Sequence, residues 1–182
     1  LLSNSKGPAW EKLQQDNPTM VKEFYQKIFG SNKKGFIVLP VTSHRCSIIQ
    51  LLAEALEHCP SELRIKCGKE LDGLKPGVDT QTAVRLVERV AQQAIKSGYR
   101  GLFFIFDEFG KVFEKAYSDR TNTDIFLLQE LAEVASRSGD VPIFLLGMLH
   151  QSFDSYVEDI QDTKTRNEFD KIAGRFRDLV FL

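Results

Sequence analysis

No run of apolar residues in this 182-residue sequence reaches the roughly 18 needed to cross a bilayer. No charged stretch followed by an apolar one opens it, and its first residue is Leu rather than Met, so the sequence is expected to be a piece of a longer protein. Charge of one sign is missing too. A net charge of -1 supplies no global attraction to nucleic acid or to an anionic membrane. Cysteine is scarce: Cys46, Cys59 and Cys67 are odd in number and unevenly spaced, which suits a reducing cytoplasm better than a disulfide framework. Internal repeats, low-complexity tracts and the Gly-x-Ser-x-Gly elbow of many hydrolases are absent as well. With 42% hydrophobic and 27% charged residues, the chain has the composition of one globular domain able to bury a core.

What is present is an alternation of helical pattern and short apolar run. Asn17 is placed to cap a helix with Pro18 in its first turn, where a missing N–H costs nothing. Apolar pairs then recur every four residues at Met20/Val21, Phe24/Tyr25 and Ile28/Phe29, up to Gly30. Residues Gly35–Val41 read as a strand, and Ser47–Glu57 as a helix burying Ile48, Ile49, Leu52 and Leu56. The stretch Cys59–Pro76, punctuated by Gly68, Gly73 and Pro76, reads as loop. Asp79 caps a long helix with Val84, Val87, Ala91, Ala94 and Ile95 inward, closed by Gly98.

Leu102–Phe106 is an apolar run without alternation, which predicts burial on both faces. A short helix follows over Phe109–Tyr117, then a polar loop over Ser118–Thr123 and a helix over Ile125–Ser136 with Ile125, Leu128, Leu131 and Ala135 on one stripe. Pro142–Leu146 is a third strand. Phe153–Phe176 reads as helical with a break near Thr163, and Asp178–Leu182 as a fourth strand. Strands separated by helices predict a three-layered α/β/α fold around a mainly parallel sheet, whose ligands sit at the carboxyl ends of the strands. The many phenylalanines fall in strands and on helix stripes, so they are expected in the core rather than on a base-stacking platform.

At one such end stands Phe103-Phe-Ile-Phe-Asp107-Glu108. Two carboxylates directly after a buried strand are costly unless they face a cation or solvent, and hard cations such as Mg²⁺ prefer oxygen ligands. The plain structural alternative is a pair of acids capping the following helix. The pattern resembles the Walker B element of P-loop ATPases of the AAA+ and STAND kind. That resemblance implies ATP and Mg²⁺ as cofactors, with Asp107 holding Mg²⁺ and Glu108 orienting and deprotonating the attacking water. Such in-line phosphoryl transfer asks of a protein mainly positioning and charge neutralisation.

The other half of a P-loop site is missing. Gly-x-x-x-x-Gly-Lys-Ser/Thr, whose amides cradle phosphates, does not occur: Gly68-Lys69 and Gly110-Lys111 both lack the remaining positions. The expectation is therefore a single partial P-loop domain over residues 1–182, with the first strand and phosphate loop upstream and the isolated chain a poor ATP binder. A degenerate, non-hydrolysing scaffold or regulatory domain of the same fold is the alternative.

Further stretches resemble large bacterial ATP-binding proteins. They are Phe36–Arg45, Leu102–Lys111, Phe126–Ala132 leading to Leu146-Gly-Met-Leu-His-Gln151, and the closing Gly174-Arg-Phe-Arg-Asp178. The resemblance covers about residues 13–182. It implies a cytoplasmic ATPase core whose partners are the remaining domains of its own chain. It is compatible with a homo-oligomer, and some members work in DNA-linked or phage-defence settings. His150 and Gln151 fall at the sensor position of that family, which contacts the γ-phosphate or the attacking water. Arg175 and Arg177 fall where an arginine finger would reach a neighbouring subunit, against a structural reading in which they pair with Glu168, Asp170 or Asp178. Arg45, at a helix start, is expected to meet an acid or a nucleotide, with a structural partner favoured.

His44, Cys46, His58, Cys59 and Cys67 invite zinc. Yet a helix rising about 1.5 Å per residue parts the first pair from the next by roughly 20 Å, while one ion gathers its ligands within about 2.3 Å. A metal nuclease using Asp107, Glu108 and Lys111 ranks last, because Phe109 and Gly110 separate acid from lysine.

Overall fold

The computed structural model describes residues 8–29, 34–118, 123–158 and 162–177. Two helices, α1 (Pro8–Asp16) and α2 (Pro18–Phe29), come first and pack on each other. The hinge at Asn17 is continuous with both: its N–H donates to the Leu13 carbonyl and its carbonyl accepts from Val21. The end of α2 at Gly30 and the fourth strand expected over Asp178–Leu182 lie outside the described residues.

Strand β1 (Ile37–Thr42) leads through α3 (Ile48–Leu56), α4 (Ser61–Lys66), α5 (Gly68–Gly73) and α6 (Thr80–Lys96) to β2 (Leu102–Asp107). From there α7 (Gly110–Ser118) and α8 (Thr123–Arg137) lead to β3 (Ile143–Gly147), and α9 (Phe153–Val157) and α10 (Thr163–Ala173) follow. The described strands form one parallel sheet in the order β1-β2-β3, with Ile37, Leu102 and Ile143 abreast. Parallel crossovers are almost always right-handed, so two steps in the same direction put both helical connections on one face. The burial pattern agrees. Ile37, Leu39, Leu102, Phe104, Phe106 and Ile143 are buried beneath the helices, where α3 meets β1, α8 meets β3, and α6 packs along α8.

The opposite face does not follow the expectation of burial on both sides. Phe103 and Ile105 are only partly covered and Phe144 is 48% exposed. The apolar run without alternation records a surface suited to burial, but among the described residues the helices with many sheet contacts lie on the other side. The mixed α/β character and the parallel sheet are plain.

The helix starts are written locally. Ser47 and Gln50 form a reciprocal capping box on α3, and buried Asp124 of α8 accepts from the Ile48 N–H at 2.9 Å, tying two helices together. Asp79 accepts from Thr82 N–H at the head of α6, which buries Val84, Val87, Ala91 and Ala94, with Ile95 only partly covered. Fully burying one such aliphatic side chain contributes about 1.5–3 kcal/mol.

One stretch differs from its sequence reading. Residues 59–76 hold two short helices rather than a loop. Cys59, Leu63 and Cys67, spaced four apart, are all buried, and Leu74 closes the patch. Burial of that stripe overrides the glycine signals: Gly68 simply opens α5, and Gly73 lets the Leu86 side chain of α6 come close. The same burial pushes the Cys59 thiol up to about 12, so it is an inert core group rather than a nucleophile or metal ligand. Among the described residues, no three His, Cys, Asp or Glu side chains gather in a way that could hold a metal ion.

Candidate functional site

The carboxyl end of β2 lies between the ends of its two neighbours, and backbone hydrogen bonds clamp it from both. Ser43 N–H donates to the Asp107 carbonyl at 2.8 Å on the β1 side. On the β3 side, Met148 N–H donates to the Phe106 carbonyl and Phe109 N–H donates to the Met148 carbonyl, both at 2.9 Å. The turn Asp107–Phe109 is therefore fixed in place rather than hanging from a strand end.

Within it, Glu108 adopts φ of 51°, the one positive φ at a non-glycine residue among those described. A Cβ makes that region costly, and such residues concentrate where surrounding structure enforces them. Here the enforcement is visible. Asp107 Oδ1 accepts the Glu108 N–H at 2.9 Å, and Lys111 Nζ is ion-paired with Glu108 Oε2. His150 Nε2 lies 4.0 Å from Glu108 Oε1. The hydrogen bond from Lys111, its charge, and the neighbouring His150 together hold the Glu108 carboxyl below the usual carboxylate range.

Two glycines make room for aromatic rings that brace this turn. A Cβ on Gly110 would run into the ring and hydroxyl of Tyr156 from α9, and a Cβ on Gly147 would run into the Phe109 ring. Phe109 in turn packs on Phe106, Phe113 and Phe176, with centroid distances of 5.2, 5.0 and 6.5 Å. The phenylalanines around the site are thus a packed bed beneath the carboxylates.

The sequence candidates sort by place. Asp107, Glu108 and His150 come together. Gln151 is exposed on the next turn. Arg175 is turned away: it donates to the Lys171 carbonyl at 2.8 Å and reaches Glu133 of α8 at 3.3 Å, an acid other than the three expected. Arg177 is exposed at the end of the last described segment. Arg45 meets an acid, Glu114 of α7, at 3.1 Å, tying the loop after β1 to the helix that carries Lys111.

Lys111 itself was not among the residues singled out for the ATPase site. Its signal was available, because an acid and a lysine three residues apart across a helix start are within pairing reach. Tyr156 carried no such signal, since nothing local links it to Gly110. No family model, no curated protein and no solved structure matches this chain.

Chemically, the site offers an exposed strand-end carboxylate, Asp107, beside a second carboxylate held in a fixed and strained pose, with one ammonium and one imidazole around it. Asp107 fits an oxygen-preferring cation or its water shell, whereas the cysteines and remaining histidines do not converge on it.

Proposed function

We propose that this chain is the Walker B half of an ATP-hydrolysing core of the P-loop kind, working inside a larger multidomain protein. The observation that carries the reading is Glu108: a glutamate in left-handed backbone where glycine is the usual occupant, directly after a strand-end aspartate. The backbone gains no stability from that choice. The protein gains a carboxylate aimed from the carboxyl end of the central strand, where parallel sheets bind ligands.

In this reading Asp107 holds Mg²⁺, which neutralises phosphate charge when bound. Glu108 accepts a proton from the attacking water. His150, beside Glu108, is the better sensor candidate of the pair 150/151, as a hydrogen-bond donor to a phosphate oxygen. Arg175 as a finger would first have to leave Glu133, which favours Arg177 for that role.

The reading also calls for a strand and a glycine-rich loop outside these 182 residues, completing a three-layered sheet. The sheet edges support a place for it. β1 contains Pro40, which cannot donate to a ladder and marks an edge strand. β3 reads Ile-Phe-Leu-Leu-Gly, with no charge or proline to protect it, and among the described residues it has no second neighbour. A further strand would pair there, and its following helix would cover Phe103, Ile105 and Phe144.

The test is Glu108→Gln in the full-length protein. ATP binding should persist while turnover falls by about 10²-fold or more, the usual share of a general base. Asp107→Ala should weaken Mg²⁺-ATP binding in calorimetry on a chain extended upstream. Unchanged turnover in Glu108→Gln removes the base assignment. Absence of ATP binding in the extended chain turns the reading to the alternative, a non-hydrolysing scaffold of the same fold.

A further inference from the structure

Helix α6 has two faces of unlike chemistry. One is the apolar stripe between Ala83 and Ala94 that packs into the core. The other is exposed and carries Arg85, Arg89, Gln92 and Lys96, at steps of four, three and four residues. That spacing keeps them on one side of the helix, over roughly 16 Å at a rise of about 1.5 Å per residue. Glu88 is the one acid of α6, and it is half-buried. Among the described residues Arg85, Arg89 and Lys96 make no ion pair, whereas Arg137 and Arg175 both reach Glu133 and Lys171 reaches Glu168. A helix face that only has to be solvated ordinarily mixes signs, and two like charges four residues apart, as at Arg85 and Arg89, repel each other. Past Lys96 the stripe meets α4, where Lys66 Nζ donates to the Ser97 hydroxyl at 3.3 Å. Arg64 and Lys66 are exposed, and Ile65 between them is 83% exposed, pointing away from the core two residues after buried Leu63. A lone surface aliphatic is ordinary; this one stands at the end of an acid-free basic stripe. The neighbouring acid, Glu62, is already engaged by Lys34 and the Tyr99 hydroxyl.

We propose that the exposed face of α6, together with Ile65, docks an acidic helical segment of a partner protein. Carboxylates repeating along that segment at the spacing of Arg85, Arg89 and Lys96 face the three unpaired cations, and an apolar residue at its end packs on Ile65. Guanidinium groups suit this role because they grip a carboxylate through two parallel hydrogen bonds. The chemistry favours a protein over a nucleic acid. An aliphatic side chain gains from leaving water only against another apolar surface, which a phosphate backbone does not offer. The aromatic residue at this end, Tyr99, has the Lys34 ammonium over its ring at 4.6 Å, so that face of the ring is not open to a stacking base. The stripe runs towards the amino end of β2, where Arg100 N–H donates to the Gly35 carbonyl, and the candidate carboxylates stand at the other end. The inference therefore holds whether or not the ATPase reading does.

The experiment measures binding by fluorescence anisotropy with three probes. The first is a synthetic peptide of about 20 residues, long enough to be helical, with Glu at the matching spacing on one face and Leu at one end. The second has the same composition with its Glu residues distributed around the helix, and the third is a short duplex DNA. The chain should bind the patterned peptide, more weakly as salt rises, and the rearranged peptide about fivefold less tightly or worse. Arg85→Glu combined with Arg89→Glu should weaken binding by about tenfold or more, and Ile65→Ser by about fivefold or more. Arg166→Glu, at an exposed cation of α10 off the stripe, should change nothing. All these side chains are exposed, so thermal melts should stay as in the native sequence; Arg85→Gln with Arg89→Gln replaces the charge reversal if that disturbs the fold. No binding of the patterned peptide, equal binding of the rearranged one, or indifference to the arginine pair or to Ile65→Ser overturns the proposal. Tighter binding of the DNA than of the peptide, lost in the same arginine variant, overturns it in favour of a nucleic-acid surface.

Discussion

Each end of β2 carries a residue with positive φ, and the two ends place different residues there. At the amino end Gly101 has φ of 143°, and at the carboxyl end Glu108 has φ of 51°. Both positions are stitched to the neighbouring strands: Ile37 N–H donates to the Gly101 carbonyl and Leu102 N–H to the Pro142 carbonyl, as Ser43 and Phe109 are stitched in at the other end. At the amino end the chain uses the residue with no Cβ. At the carboxyl end it keeps a glutamate, against the conformational preference of that residue. Where only architecture is at stake, the backbone is relieved by glycine. Where it is not relieved, as at Glu108, the proposed function supplies a reason for keeping the side chain.

The sharpest break of this comparison is Gly101→Ala. A Cβ there would overlap the Pro142 carbonyl and lie 3.2 Å from the Phe36 ring, so backbone, not a pliant side chain, stands in the way. The expected loss is about 4 kcal/mol, or a Tm lower by roughly 8–16 °C. Gly77→Ala is the control. Its φ of 91° is also unfavourable for a residue with a Cβ, but nothing lies within 4 Å of the new Cβ, so it should cost only about 1–2 kcal/mol. Equal losses in urea or thermal melts would mean that conformation, not the Pro142 contact, decides the amino end.

At the carboxyl end the sign should reverse. Glu108→Gly and Glu108→Ala both delete the Lys111 pair, so their difference isolates the backbone. The glycine variant should melt about 2–4 °C above the alanine variant, the opposite of the order in an ordinary helix or strand. An alanine variant as stable as the glycine one would remove the strain from this turn, and with it the main support for a functional site.

Most of the framework was legible in the sequence because its signals are local. The apolar spacing after Ser47 and the Asp79 cap announce helices, the run Leu102–Phe106 announces the central strand, and Asp107-Glu108 stands out as two acids at the end of an apolar stretch. What was missed depends on contacts between distant segments. The buried stripe Cys59, Leu63 and Cys67 makes helices out of a glycine-punctuated stretch only because α6 is there to cover it. Likewise the turn that holds Glu108 is clamped by Ser43 and Met148, each directly after a flanking strand, and the Glu133 partner of Arg175 lies 42 residues away. Periodicity cannot report any of these.

The smallest expected effect compares the charges at the two ends. Each end of β2 has one carboxylate–lysine pair nearby: Glu62 with Lys34 at 2.7 Å, beside Tyr99, at the amino end, and Glu108 with Lys111 at the carboxyl end. Hydrogen bonds from Lys34 and Tyr99 hold Glu62 below the usual carboxylate range, as Lys111 does for Glu108. A carboxyl lowered by folding adds stability above its unfolded pKa, and the gain disappears as pH falls through the folded value. So at neutral pH the native sequence should melt slightly above both Glu62→Gln and Glu108→Gln, by about 2 °C at most for exposed pairs, and the gap should close in acid or in high salt.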